Sequence, residues 1–346
     1  MILIIAHHYV VNSGLFEVLR HSDFSSVSAA MLLFGAWGKT GINYFVLITS
    51  YFMCQSKIKW EKLLKLYIQI AFYTLIIFEI FCITGHETFS GWGILKCLWP
   101  VRSVADGFTS CFLVFFLLIP FLNILIPNID RRMNKRLILL LVIVFSILPT
   151  FRIPVSFSYV FWFCVIYIIG AYIRRYDFGC NISHKMWGGL AAGCFILGSA
   201  YILDLYGMNK AAYTVSEDYY FFISDSNKVL SLIIAVTSFM WFKGIPMAPH
   251  LLINLVGGTT FGVLLIYANS NAMRHLLWME TVDCTGHFSS VLWFTIFYAT
   301  ICVLTIFICS AIIDWLRSRF LEPWYIRVLT KVIRCRSPFA ASYVTE

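Results

Sequence analysis

The chain has 346 residues, of which 60% are hydrophobic and only 12% are charged. That much apolar surface excludes a single soluble core and predicts an integral membrane protein. The net charge of +9 is compatible with a nucleic-acid partner. However, the basic residues lie in short loops between apolar segments and in the tail, so membrane topology explains them and we expect no nucleic acid.

Long apolar runs follow one another along the whole chain and do not alternate residue by residue, which argues against a transmembrane β-barrel. They predict an all-α, polytopic membrane helix bundle with about ten transmembrane helices. The predicted spans are Met1 to about Leu19, Met31 to Met53, Leu63 to Thr84, Phe108 to Ile126, Arg136 to Phe151, Val155 to Ile173, Met186 to Leu205, Lys228 to Phe242, Leu251 to Ala268 and Ser289 to Leu316.

Positive charge collects in the loops that follow the even-numbered spans and in the tail, which predicts that both termini are cytoplasmic in a cell membrane. We divide the chain into a transmembrane domain, residues 1–322, and a short basic cytoplasmic tail, residues 323–346. A segment rich in aromatic residues, Gly91 to Pro100, is too short to span and is interpreted as an interfacial or re-entrant piece on the outer side.

Two adjacent histidines, His7 and His8, lie inside the first apolar segment. Polar side chains in hydrocarbon are costly and often functional, so the pair is a candidate site. The alternative is that both imidazoles bind neighbouring helices by hydrogen bonds and only hold the bundle together.

Several further stretches, in order along the chain, resemble the membrane-bound acyltransferase 3 family. They are His7-His8, the run from Gly38 to Phe52, Lys62-Leu-Leu-Lys-Leu-Tyr67, Pro120-Phe-Leu-Asn123, Tyr167-Ile-Ile-Gly-Ala-Tyr-Ile-Arg174 and Thr260-Phe-Gly-Val-Leu-Leu-Ile-Tyr267. The resemblance covers about 320 residues.

This resemblance implies an enzyme that moves an acyl group, commonly acetyl in the family, from acyl-CoA to a hydroxyl of a cell-surface or cell-wall carbohydrate or glycolipid. Acyl-CoA would be the donor substrate, and no bound cofactor is implied. His8 corresponds to the essential histidine of the family, and His7 is its neighbour. A neutral imidazole suits removal of the hydroxyl proton.

The chain also departs from the family pattern. The family has an arginine about three helical turns before the histidine, and that position falls upstream of Met1. We therefore expect an N-terminally truncated first helix, because Met1 to His8 covers only ~12 Å of a ~30 Å core.

Four polar residues are candidates for substrate contacts: Lys39, Asn43, Arg102 and Asn123. Lys39 and Asn43 are four residues apart and share a helix face, where they could steady an oxyanion or grip a sugar. The alternatives are a snorkelling lysine, a packing asparagine at position 43, an interfacial salt bridge between Arg102 and Asp106, and a structural cap at Asn123.

Four cations on the predicted cytoplasmic side are candidates for the phosphates of coenzyme A: Lys62, Lys65, Arg131 and Arg132. Topogenic positive charge explains the same residues without a ligand. The remaining histidines lack metal-ligand spacing, so no metal site is predicted.

Two other functions remain open. A transporter or flippase for polysaccharide or lipid would use the same polar groups to line a pathway, without covalent chemistry. An inactive, truncated acyltransferase paralogue would explain why the arginine of the family pattern is absent. The sequence identifies neither the acceptor nor the oligomeric state.

Overall fold

The computed structural model describes residues 1–57, 60–105, 107–212 and 219–328. Asp106 and most of the predicted tail lie outside these ranges. Within them every regular element is helical. The α-helices are α1 Ile2–Val11, α2 Leu15–His21, α3 Ser26–Ala36, α4 Gly38–Met53, α5 Trp60–Ile83, α6 Gly91–Leu98, α7 Phe108–Leu125, α8 Arg131–Val142, α9 Leu148–Thr150, α10 Tyr159–Arg175, α11 His184–Ala211, α12 Val229–Lys243, α13 Leu251–Tyr267, α14 Asn271–His275 and α15 Leu292–Leu316.

Six helical segments are long and apolar enough to cross a membrane, and the number rises to eight if each of two bent pairs counts as one span. The chain is therefore a multi-pass membrane protein by the character of its helices. The prediction of ten spans is not confirmed, although each predicted segment contains a helix. The difference is α10 and α12, which have 17 and 15 residues. They extend ~26 Å and ~22 Å, less than a ~30 Å hydrocarbon core.

The two bent pairs are α1 with α2, at 59°, and α13 with α14, at 94°. The first bend occurs at Gly14, whose φ of 80° is left-handed and suits glycine. The second bend comes before Ser270, whose side chain caps α14 by accepting a hydrogen bond from the Met273 amide. The first bend interrupts a span that the sequence pattern predicts as continuous, whereas the second follows the end of the predicted span Leu251 to Ala268.

Three glycines, Gly35, Gly38 and Gly41, allow α1 to lie directly against α3 and α4. A Cβ atom at Gly38 would lie 2.1 Å from Cβ of His7, and one at Gly35 would lie 2.6 Å from Cβ of Val10. Small residues permit such close helix approach inside membranes. The position of the histidine pair is therefore fixed by backbone contact between these helices.

Helices α4 and α10 run in the same direction, which defines the two ends of the bundle. At one end, Lys39 near the start of α4 contacts Tyr159 at the start of α10. At the other, Tyr51 near the end of α4 accepts a hydrogen bond from Arg174 near the end of α10. We call these the histidine end and the basic end.

Candidate functional site

A cavity of about 660 Å³ lies at the histidine end of the bundle. We call it the histidine cavity. It brings together four of the predicted site residues: His7, His8, Lys39 and Arg102. Residues of α1, α4, α5, α7, α10 and α13 also line it, so the site depends on helices far apart in sequence.

His7 has a fixed orientation in the wall of the cavity. Its Nδ1 lies 2.6 Å from the carbonyl oxygen of Gly35. A carbonyl can only accept, so Nδ1 carries the proton, and Nε2 of the neutral ring is left as an acceptor. The side chain is 9% exposed and its ring centroid lies 6.5 Å from that of Tyr220.

His8 lines the same cavity and contacts a different helix. Its ring centroid lies 6.0 Å from that of His7 and 5.6 Å from that of Tyr267 in α13. Its buried Nδ1 has no hydrogen-bond partner among the described residues. Buried polar atoms usually have a hydrogen-bond partner, so an unpartnered atom here is consistent with a site that binds a ligand.

Lys39 belongs to a hydrogen-bonded group that the sequence did not predict. Its Nζ donates to the Tyr159 hydroxyl at 3.0 Å, and that hydroxyl donates to Oδ1 of Asp225 at 2.8 Å. The Lys39 ammonium lies 3.8 Å from the same carboxylate oxygen. The charge of Lys39 is therefore partly balanced and its side chain is held at the cavity wall.

Asn43 is fully buried and does not line the cavity. Its Nδ2 donates to the backbone oxygen of Ser226 at 2.7 Å, and its Oδ1 accepts from Nε1 of Trp162 at 2.9 Å. The structure therefore gives Asn43 a packing role, in which it holds the loop that carries Asp225. Asn43 can therefore influence the cavity only indirectly, through the position of that loop.

Two arginines line the cavity, one predicted and one not. Arg102 is exposed, and its Nη2 donates to the backbone oxygen of Lys96 at 3.4 Å. Its suggested partner Asp106 lies outside the described residues. Arg274 in α14 was missed because nothing in its sequence context links it to the histidines. Its buried Nε has no partner among the described residues.

Asn123 lies at the basic end, away from the histidine cavity. Its Nδ2 donates to the backbone oxygens of Met53 and Ser56 at 3.0 and 3.3 Å. Its Oδ1 accepts from the Tyr167 hydroxyl at 2.6 Å. These bonds satisfy carbonyls at the end of α4, so Asn123 acts as a structural cap and the structure does not place it with the other substrate candidates.

A second cavity of about 540 Å³ lies at the basic end and contains Lys62 and Lys65. We call it the basic cavity. Lys65 forms an ion pair with Glu322, which also accepts from Arg317 at 3.0 Å. Arg317 is 4% exposed and its Nε donates to Oδ1 of Asp314 at 2.8 Å. Of the three cations that line this cavity, Lys65 and Arg317 are balanced by carboxylates, and Lys62 forms no ion pair within the described ranges.

The other two predicted coenzyme A ligands, Arg131 and Arg132, do not line the basic cavity. Both are exposed at the start of α8, where the Arg131 guanidinium lies 5.5 Å from the centre of the Tyr176 ring. The four candidate cations are therefore divided between two places. Their predicted location on the same side of the membrane did not mean that they lie close together.

The two cavities are lined by the same three helices, α5, α7 and α13, and approach each other along them. On α5, Ile70 lines the histidine cavity and its neighbour Gln69 lines the basic cavity. Three rings, Phe45, Phe112 and Phe261, pack between them with centroid separations of 5.1 to 6.0 Å. We call these three rings, from α4, α7 and α13, the aromatic barrier.

The described residues contain no group of three or more His, Cys, Asp or Glu side chains that could hold a metal ion. Comparisons with protein-family models, with curated proteins and with solved structures find no match to this chain.

Proposed function

We propose that this protein is an integral membrane O-acyltransferase of the acyltransferase 3 type. It would transfer an acyl group, most simply acetyl, from acyl-CoA to a hydroxyl of a glycan or glycolipid, with His8 as the general base. One observation carries the proposal: two imidazoles and three cations, Lys39, Arg102 and Arg274, line one cavity at the end of a membrane helix bundle.

The chemistry needs a base and a cation near the reacting carbonyl. The acceptor oxygen attacks the thioester carbon while its proton passes to an unprotonated nitrogen of His8. The carbon–sulfur bond then breaks, and the coenzyme A thiolate takes up the proton. Lys39, held by Tyr159 and Asp225, would stabilise the negative charge that develops on the carbonyl oxygen.

Acyl-CoA would approach from the basic end, which the charge pattern predicts to be cytoplasmic. Lys62 lines the basic cavity and supplies a cation for a phosphate group. The aromatic barrier of Phe45, Phe112 and Phe261 would have to open for the acyl group to reach His8. The acceptor would meet it in the histidine cavity, on the outer side of the cell membrane.

Radiolabelled acetyl-CoA and purified protein in lipid nanodiscs test the proposal, with envelope glycans and lipids of the source cell as acceptors. We expect His8→Ala to lower transfer roughly 100-fold to 10,000-fold, the usual contribution of a general base. The control is His250→Ala, which removes an exposed imidazole before α13. Transfer by His8→Ala at the wild-type rate would refute the assignment.

Transport without covalent chemistry is a second candidate, and one observation favours it. Bent helix pairs and cavities at both ends of shared helices are features of membrane transporters. A transporter would move a labelled glycolipid across a vesicle membrane without any CoA thioester. Movement that is unchanged by His8→Ala and independent of acetyl-CoA would favour this function.

A further inference from the structure

A third cavity of about 380 Å³ lies in the angle between α13, α14 and α15. We call it the elbow groove. One face of α15 forms its floor, through Ile301, Cys302, Thr305, Ile306 and Cys309, which follow the three- and four-residue spacing of a helix. From Ile301 to Cys309 this face extends ~12 Å along the helix.

The elbow groove is mostly apolar and open to the surroundings of the bundle. Ile301 is 45% exposed, and Thr305 and Cys309 are also exposed. Because α15 is one of the membrane-spanning candidates, we expect these exposed residues to face hydrocarbon. The groove is thus shaped to hold a chain that comes from the bilayer.

The elbow groove and the histidine cavity share a wall. Tyr267 lines the groove, and its ring centroid lies 5.6 Å from that of His8, which lines the cavity. The buried Tyr267 hydroxyl has no hydrogen-bond partner among the described residues. In α14, Met273 lines the groove while the next residue, Arg274, lines the cavity.

The charges where the elbow groove meets the histidine cavity indicate which polar head group a lipid in the groove would carry. Arg274, Arg102 and Lys39 line the histidine cavity, and Asp225 is occupied by Tyr159 and Lys39. The Arg274 Nε is buried and unpartnered within the described ranges. A guanidinium in this state fits a phosphate group, to which it can donate two parallel hydrogen bonds.

We infer that the elbow groove and the histidine cavity together bind one phosphate-bearing lipid, with a hydrocarbon chain in the groove and its polar head beside Arg274 and His8. This ligand is the acceptor class of the acyl transfer, and in that respect the inference rests on the proposed function. The acceptor reaches His8 laterally, from within the membrane.

The test uses a probe that needs no acyl transfer: a farnesyl phosphate analogue with a diazirine in its tail, and the matching alcohol without phosphate. Each is irradiated with the protein in nanodiscs, and the crosslinked residues are mapped by mass spectrometry. We expect crosslinks on the groove face of α15, and about tenfold stronger labelling by the phosphate than by the alcohol.

Matched variants separate a specific site from bulk lipid. Thr305→Trp or Ile301→Trp fills the groove and should lower labelling at least roughly fivefold by steric exclusion. Leu304→Trp adds the same bulk to a residue of α15 that is 40% exposed and does not line the groove, so it should leave labelling unchanged. Arg274→Gln should abolish the preference for phosphate while leaving labelling by the alcohol.

Equal labelling of all lipid-facing helices, or labelling unaffected by both tryptophan substitutions in protein that remains folded by size-exclusion chromatography, would overturn the inference. The failure of the proposed function has a different signature. In that case the probe labels α15 with the expected phosphate preference, but wild-type protein transfers no acyl group.

Discussion

The histidine cavity and the basic cavity are similar in size and both contain cations, but their polar groups are in different states. In the basic cavity, Lys65 and Arg317 are bound by carboxylates. In the histidine cavity, Nε of Arg274 and Nδ1 of His8 are buried without a partner within the described ranges. Paired buried charges organise helices, whereas unpaired ones are costly and mark a place where a ligand can bind.

The strongest way to test this contrast is to break the buried pair at the basic end. Asp314→Ala leaves the Arg317 guanidinium, 4% exposed, without its closest carboxylate. We expect a loss of about 3–5 kcal/mol in the free energy of unfolding, measured in detergent. Glu322→Gln is the matched comparison, because it removes a more accessible partner of the same arginine. A loss under about 1 kcal/mol for Asp314→Ala would contradict a structural role for the pair.

At the histidine end, the strongest effect should come from the helix contact behind the pair. Gly38→Ala places a Cβ 2.1 Å from that of His7, so α1 must move. We expect the free energy of unfolding to fall by about 1–3 kcal/mol. Acyl transfer should fall by more than the loss of folded protein explains, because the imidazoles are displaced. Gly193→Ala, at a helical glycine with open space around it, serves as the control and should retain full activity.

A smaller effect is expected from the group that holds Lys39. Tyr159→Phe removes the hydroxyl between the Lys39 ammonium and Asp225, which should cost about 0.5–1.5 kcal/mol. If Lys39 stabilises the oxyanion, transfer activity should fall by more than the loss of folded protein explains. Tyr201→Phe removes a hydroxyl from a partly exposed ring and should change neither. Equal behaviour of the two variants would argue against a role for Lys39 in the reaction.

The smallest effect should come from the half-exposed ion pair at the basic end. The Lys65 side chain is 46% exposed, and solvent screens its attraction to Glu322. We expect Lys65→Gln to change stability by less than about 1 kcal/mol. The KM for acetyl-CoA should change less than in Lys62→Gln, where the substituted cation has no carboxylate partner in the described part of the chain. A larger KM change for Lys65→Gln would reverse our assignment of the two lysines.

The sequence predicted the helices well because apolar runs fix which segments avoid water. It did not predict the bend at Gly14, inside the first predicted span, or the turn into α14, which follows the end of the ninth predicted span at Ala268. It predicted the bounds of α12 to within one residue, but it counted this run of fifteen residues as a full span because its composition is that of a spanning helix.

The candidate site was predicted in part for a similar reason. Helical spacing shows that Lys39 and Asn43 share a face but not which helix that face meets, so the packing role of Asn43 emerged only from its bonds to Trp162 and Ser226. Asp225 and Arg274 are far from the histidines in sequence. Only the folded chain brings Arg274 to the same cavity and Asp225 to Lys39 in its wall.

The short α12 bears on the thickness of any bilayer that it crosses. A helix of 15 residues is ~22 Å long, several ångströms less than the hydrocarbon thickness. Hydrophobic mismatch of this kind is relieved by local thinning of the bilayer. Trp241 and Phe242 near the end of α12 are exposed and are suited to anchoring the displaced interface. Where α12 crosses a bilayer, the lipids beside it would therefore form a thinner barrier than the surrounding membrane.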